Sequence, residues 1–90
     1  MSEVKISRVA KLIIAAGRLL TPGERWQSPF ARITGLSPGH IQNIASGARP
    51  VTDDVGRVIA KALFEEAEDM RRRARNVQEL GGKIMDALEK

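Results

Sequence analysis

Cysteine is absent from the 90 residues. That excludes a disulfide framework and a thiolate metal site, and it accords with a reducing cytoplasm as the expected location. Aromatic residues make up only 3%, with one Trp, two Phe and no Tyr. Any core must therefore be aliphatic and alanine-rich, which favours packed helices. Long apolar runs are missing as well. The longest near the N-terminus, Val9 to Leu20, is interrupted by Lys11 and Arg18. No membrane span or cleavable signal is expected. Histidine occurs once, and the basic half holds no convergent carboxylate pair. No nucleophile–base set or metal site can be built from this inventory, so neither an enzyme nor a cofactor is expected.

What is present is positive charge, unevenly placed. The formal net charge is +4. Residues 1–52 hold seven basic side chains (Lys5, Arg8, Lys11, Arg18, Arg25, Arg32, Arg49) against Glu3 and Glu24, a net of +5. Residues 53–90 hold eight basic and nine acidic residues, a net of −1. A basic half of this kind suits a phosphate-bearing partner, although ordinary surface lysine and arginine would give the same balance.

The chain length allows a single all-α domain with a modest core. Val9, Leu12, Ile13, Ala16 and Leu20 recur at helical spacing and predict a first helix over residues 4–20, capped near Ser7 and stopped by Thr21-Pro22-Gly23. Its apolar face is needed for the core, which argues against a membrane-surface role for the basic side. Trp26, just before the second helix, is expected to anchor the core rather than to stack on a base. Ser28-Pro29 and Ser37-Pro38 each read as an N-cap hydroxyl ahead of a proline at the first helical position. Gly35 lies between them, where a chain leaving a short helix needs positive φ. Phe30, Ala31, Leu36, Ile41 and Ile44 can then meet on one side. Two short helices crossing at a glycine, the second over residues 38–45, make a helix-turn-helix.

Gln27, Phe30-Ala31, Gly35, Leu36-Ser37, Ile41, Ile44 and Gly47 stand in the order and spacing of one family. The stretch from Trp26 to Leu63 resembles lambda-repressor-like (Xre-type) transcriptional regulators, and Ala48-Arg49-Pro50-Val51 resembles their basic loop after the recognition helix. Two departures stand out. Thr34 occupies a position where the family prefers an aliphatic residue, so its methyl must pack or Ile33 must turn inward. Pro38 and Gly39 open the recognition helix without a side chain that can hydrogen-bond a base edge.

The resemblance implies a compact four- to five-helix DNA-binding domain over residues 4–64 and a C-terminal helical extension over residues 65–90. It implies double-stranded DNA as partner, with the candidate contacts Gln27, Ser28, Arg32, Ser37, Gly39, His40, Gln42, Asn43, Ser46 and Arg49. Gln42 and Asn43 suit bidentate contact with adenine, and Ser46 shares their outward face. Gln27, Ser28 and the free N–H groups of their helix suit a phosphate, as do Arg32 and Arg49. His40 suits a phosphate or a base as well as it suits an idle surface position.

Thr52, followed by Asp53 and Asp54, reads as the cap of a fourth helix, whose Val55, Val58, Ile59, Ala62 and Leu63 close the core. Beyond it, Leu63, Ala67, Met70, Ala74, Val77, Gly81, Ile84 and Leu88 alternate steps of four and three. Glu68 with Arg72 and Asp69 with Arg73 read as i,i+4 pairs, which makes Arg71 to Arg75 a solvated face rather than a second nucleic-acid patch. Gly81-Gly82 predicts a break, leaving residues 83–90 as a short final helix. Leu63, Met70, Val77, Ile84 and Leu88 form the expected homodimer interface.

The expected protein is a homodimeric repressor or autoregulator reading two half-sites roughly 34–36 Å apart. One alternative is an antitoxin whose C-terminal helices also grip a protein partner. Another is a helical protein-interaction module that binds no DNA.

Overall fold

A computed structural model of the chain describes residues 6–89. Regular structure among these residues is entirely helical: α1 (Arg8–Leu20), α2 (Gln27–Thr34), α3 (Pro38–Ser46) and α4 (Asp53–Leu88). The expected helical residues Val4 and Lys5 lie outside the described residues. α1 begins where the Ser7 hydroxyl accepts the Ala10 N–H at 3.2 Å.

The first three helices and the start of α4 enclose one small core. Phe30, Ile41, Ile44 and Ile59 are its fully buried side chains, joined by Ala10, Ile13, Trp26 and Ala31. Trp26 meets Phe30 edge-on, with ring centroids 5.8 Å apart and an interplanar angle of 63°. Its indole packs closely against α1 at Gly17, where an added Cβ would overlap Cε3 and Cζ3 of the ring. The Thr21 hydroxyl donates to the Gly17 carbonyl at 2.7 Å, with the Trp26 carbonyl 3.1 Å away. The end of α1 is thereby fastened to the start of α2.

This notch corrects the expected face of α1. Apolar residues cover more than half of its circumference, so spacing alone leaves its rotation open. Seating the indole on Gly17 turns Ala10, Ile13 and Gly17 inward and leaves Val9 and Leu12 exposed.

The turns follow from the local chemistry. Gly35 and Gly47 end α2 and α3 at φ 79° and 80°, in the left-handed region. Ser37 caps α3 by accepting the His40 N–H at 3.1 Å, with Pro38 in the first turn, and Thr52 caps α4 by accepting from Val55 at 3.3 Å. The expected cap at Ser28 is not made. α2 starts two residues earlier, with Trp26 at the cap position and no side-chain bond there, because burial of the indole fixes where the chain turns. Thr34 is buried, and its hydroxyl donates to the Ala31 carbonyl at 3.2 Å, so an internal bond offsets burial of the polar group while the methyl packs.

α4 differs most from expectation. It runs unbroken for 36 residues through Gly81-Gly82, so the described chain has four helices and no separate final one. Neither glycine adopts positive φ. Their combined cost of about 2 kcal/mol relative to alanine does not outweigh continued helix bonding through good helix formers on both sides. Val58, expected in the core, is about half exposed, and Ile59 takes the buried position. Among the expected ion pairs, Asp69–Arg73 forms at 3.4 Å. Glu68 bonds Arg71 at 2.5 Å instead of Arg72, and Arg72 pairs with Asp69. The molecule measures 71 × 25 × 20 Å with a radius of gyration of 17.9 Å. A compact domain of this length would have about 12 Å. The elongation comes from α4, which projects beyond the core enclosed before Leu63.

Candidate functional site

The best candidate surface is the outward side of α3. With Ile41 and Ile44 fixed in the core, helical geometry places Gly39, Gln42, Asn43 and Ser46 on the opposite side, and all four are exposed. His40 lies on the flank, half-buried. Among the described residues, no internal hydrogen bond holds the side-chain amide of Gln42 or Asn43. Each keeps a donor and an acceptor facing solvent. Gly39 has a negative φ, and an added Cβ would meet no atom within 4 Å, so neither strain nor crowding inside the chain requires glycine there.

Two serines assigned to this face are partly occupied. The Ser37 hydroxyl oxygen is engaged as the α3 cap, although its proton stays free to donate. The Ser46 hydroxyl donates to the Asn43 carbonyl at 3.2 Å and accepts the Ala48 N–H at 3.3 Å. Its first task is to close the end of α3. The Arg49 N–H donates to the same Asn43 carbonyl at 3.2 Å, which ties the following loop to the exposed face.

The remaining candidates separate in space. Gln27 lines a shallow depression together with Arg18, Trp26, Gln42, Ala45 and Ser46. Ser28, second in α2, is exposed beside an N-terminus that no side chain caps. Arg49 borders a different hollow with Ile6, Ser7, Ile44 and Gly47. Arg32 faces a groove against α4 with Val58, Lys61 and Glu65, away from Gln42. Arg18, by contrast, joins the α3 depression although the sequence did not single it out. Its spacing carried the signal: it follows Ile14 by one turn, and Ile14 lines the same depression.

The charges of the two halves are used differently. All five ion pairs among the described residues lie on α4. Arg8, Lys11, Arg18, Arg25, Arg32 and Arg49 are exposed and enter none of them. The basic residues flanking α3 thus keep their charge available to an anion. Among the described residues, no group of three His, Asp or Glu side chains could hold a metal ion, and no helix is long and apolar enough to cross a membrane.

The expected dimer residues lie on the projecting part of α4. Leu63 is half-buried at its base, whereas Met70, Val77, Ile84 and Leu88 are exposed along it. At the base, Ala16, Leu19 and Leu20 of α1 face Leu63, Ala67 and Met70 across an apolar groove of about 540 Å³. Set against known protein families, curated proteins and solved structures, the chain has no match.

Proposed function

We propose that this protein is a sequence-specific, double-stranded DNA-binding regulator of the lambda-repressor-like kind, with α3 entering the major groove. The observation that carries the reading is the pair of unoccupied side-chain amides, Gln42 and Asn43, on a helix whose inner face is locked by Ile41 and Ile44. Amides of this type can make bidentate bonds to adenine N6 and N7. Gly39, on the same side, lets a groove wall approach the α3 backbone closely. Arg18 and Arg49 flank the face and would supply sequence-independent attraction to phosphate. No catalytic role is proposed. The exposed stripe on α4 supports a homodimer, and hence an inverted repeat as target.

Enrichment of random duplexes by the full-length protein tests the reading. A recovered inverted repeat is the expected result. Gln42→Ala and Asn43→Ala should then lose discrimination at one or two base positions, by roughly 1–3 kcal/mol for each bidentate contact. Enrichment of no sequence at all, or variants that enrich the parental site unchanged, would remove α3 as the reader.

A second reading has its own support. The apolar groove between α1 and α4 offers a surface for a different protein, as an antitoxin or an interaction module would need.

A further inference from the structure

The projecting part of α4 carries one apolar stripe with two kinds of position. Leu63, Met70, Val77 and Ile84 recur every seven residues and are large, whereas Ala67, Ala74 and Gly81 recur between them and are small. Among the described residues, no atom lies within 4 Å of a Cβ added at Gly81, and none covers Val77, Ile84 or Leu88. A parallel, in-register pair would set small against small, Ala67 on Ala67 and Gly81 on Gly81. Those layers would leave gaps between helices held apart by the large ones.

Reversing one helix removes the mismatch. With Ala74 of one chain opposite Val77 of the other, Met70 meets Gly81, Ala67 meets Ile84, and Leu63 meets Leu88. Every layer then pairs small with large except the terminal leucines. We propose that two copies of this chain associate through an antiparallel pairing of α4 in this register. The last turns of each helix then lie in the partner's groove between α1 and α4. The proposal rests on the homodimer in the reading above and adds its orientation, register and second surface.

Three further observations favour a second copy as occupant. The stripe from Leu63 to Leu88 is about 37 Å of helix, and this register covers all of it. Leu88 reaches the base of the partner helix where the groove opens, so the groove residues Leu19 and Leu20 gain Ile84 and Leu88 of the partner subunit as neighbours. Charge agrees as well. A parallel pair places Arg71, Arg72, Arg73 and Arg75 beside the same four residues of its partner, and the acidic run from Glu65 to Asp69 beside its own copy. A parallel pair would gain a Glu66–Arg71 contact, but Glu66 already bonds Arg73 at 3.3 Å. The antiparallel pair moves each acidic run away from its own copy, to the height of residues 82–86 of the other helix, and sets the two arginine blocks end to end instead of side by side.

The arrangement fixes a distance. The two copies of Ile59 stand about 50 Å apart along the helix axis. The half-sites should therefore lie farther apart than one helical turn of DNA.

The natural absence of cysteine makes disulfide trapping direct. Full-length Met70→Cys and Gly81→Cys proteins are prepared separately, and each is oxidised alone and as an equal mixture. Ala67→Cys with Ile84→Cys gives a second, independent pair. Circular dichroism confirms that each variant is folded. The expected result is a mixed disulfide in both mixtures and little cross-linking of any variant alone. Efficient cross-linking of each variant to itself would establish parallel pairing and overturn the proposal. Sedimentation of the unsubstituted protein as a dimer, with neither pattern of cross-links, would place the interface elsewhere and also overturn it. A monomer at tens of micromolar would remove the dimer altogether. Fluorescence anisotropy with random duplexes separates this from DNA binding. A monomer that binds duplex leaves the α3 reading standing, and a trapped dimer that binds none leaves only the interface.

Discussion

The two halves of this molecule use the same building material under different rules. Before Leu63, three short helices and the base of α4 enclose a core in which Phe30, Ile41, Ile44 and Ile59 have essentially no exposed surface. Beyond it, α4 continues with Val77, Ile84 and Leu88 largely in solvent. In the first half, position is set by packing. In the second, helix is maintained by local propensity and by ion pairs between neighbouring turns. Such exposed pairs contribute a few tenths of a kcal/mol each. The contrast extends to glycine. Gly17 is a notch that the Trp26 indole fills, and Gly82 is merely a weak helix residue. It extends to arginine too: among the described residues, those around α3 enter no ion pair, whereas Arg71, Arg72 and Arg73 of α4 are occupied by carboxylates.

The strongest break of this comparison is truncation in each half. Phe30→Ala should cost about 3–5 kcal/mol of unfolding free energy, enough to threaten folding of so small a core. Val77→Ala should leave the unfolding free energy of a single chain within about 0.5 kcal/mol. Denaturant unfolding at low protein concentration measures both. If Val77→Ala proved as damaging there as Phe30→Ala, α4 would have to fold back on its own domain.

Next in size is one substitution with opposite signs. Gly17→Ala should destabilise by about 1–3 kcal/mol, because the added methyl collides with a ring that cannot move aside. Gly82→Ala should stabilise by up to about 1 kcal/mol, because it fills no occupied space and favours helix. Thermal unfolding followed by circular dichroism gives both signs. A neutral Gly17→Ala would mean that the indole does not sit on α1.

The smallest effect concerns the arginines. Arg18→Ala and Arg49→Ala should each lower the slope of log K against log salt by about 0.9 for a lost phosphate contact, roughly threefold in affinity between 50 and 200 mM. Arg72→Ala, whose guanidinium is occupied by Asp69, should leave the slope unchanged. Equal slopes for all three variants would abolish the distinction between the halves.

Local chemistry is legible in the amino-acid order alone. Ser37, Gly35, Gly47 and Thr52 mark their helix ends because a cap hydroxyl and a left-handed φ are requirements of the backbone within a few residues. Ile41 and Ile44, three apart, place Gln42 and Asn43 outward for the same reason. Ser28 does not cap α2, and Arg32 lines a groove against α4 rather than the depression that holds Gln42. Both depend on how α2 is seated against other helices, which no spacing within α2 records.

The amino-acid sequence by itself determined that this chain is helical, that α2 and α3 end at Gly35 and Gly47, which residues of α3 face outward, and that its stripe repeats every 3.5 residues. These follow from periodicity and backbone sterics, which act over one or two turns. Only the tertiary structure decided which side of α1 is buried and that Arg18 lines the same depression as Gln42. The reason is distance. Gly17 and Trp26 are nine residues apart in the chain, and Arg18 and Gln42 are twenty-four apart. Whether such residues meet depends on packing around the whole core, where one indole seated in one notch sets the rotation of a helix.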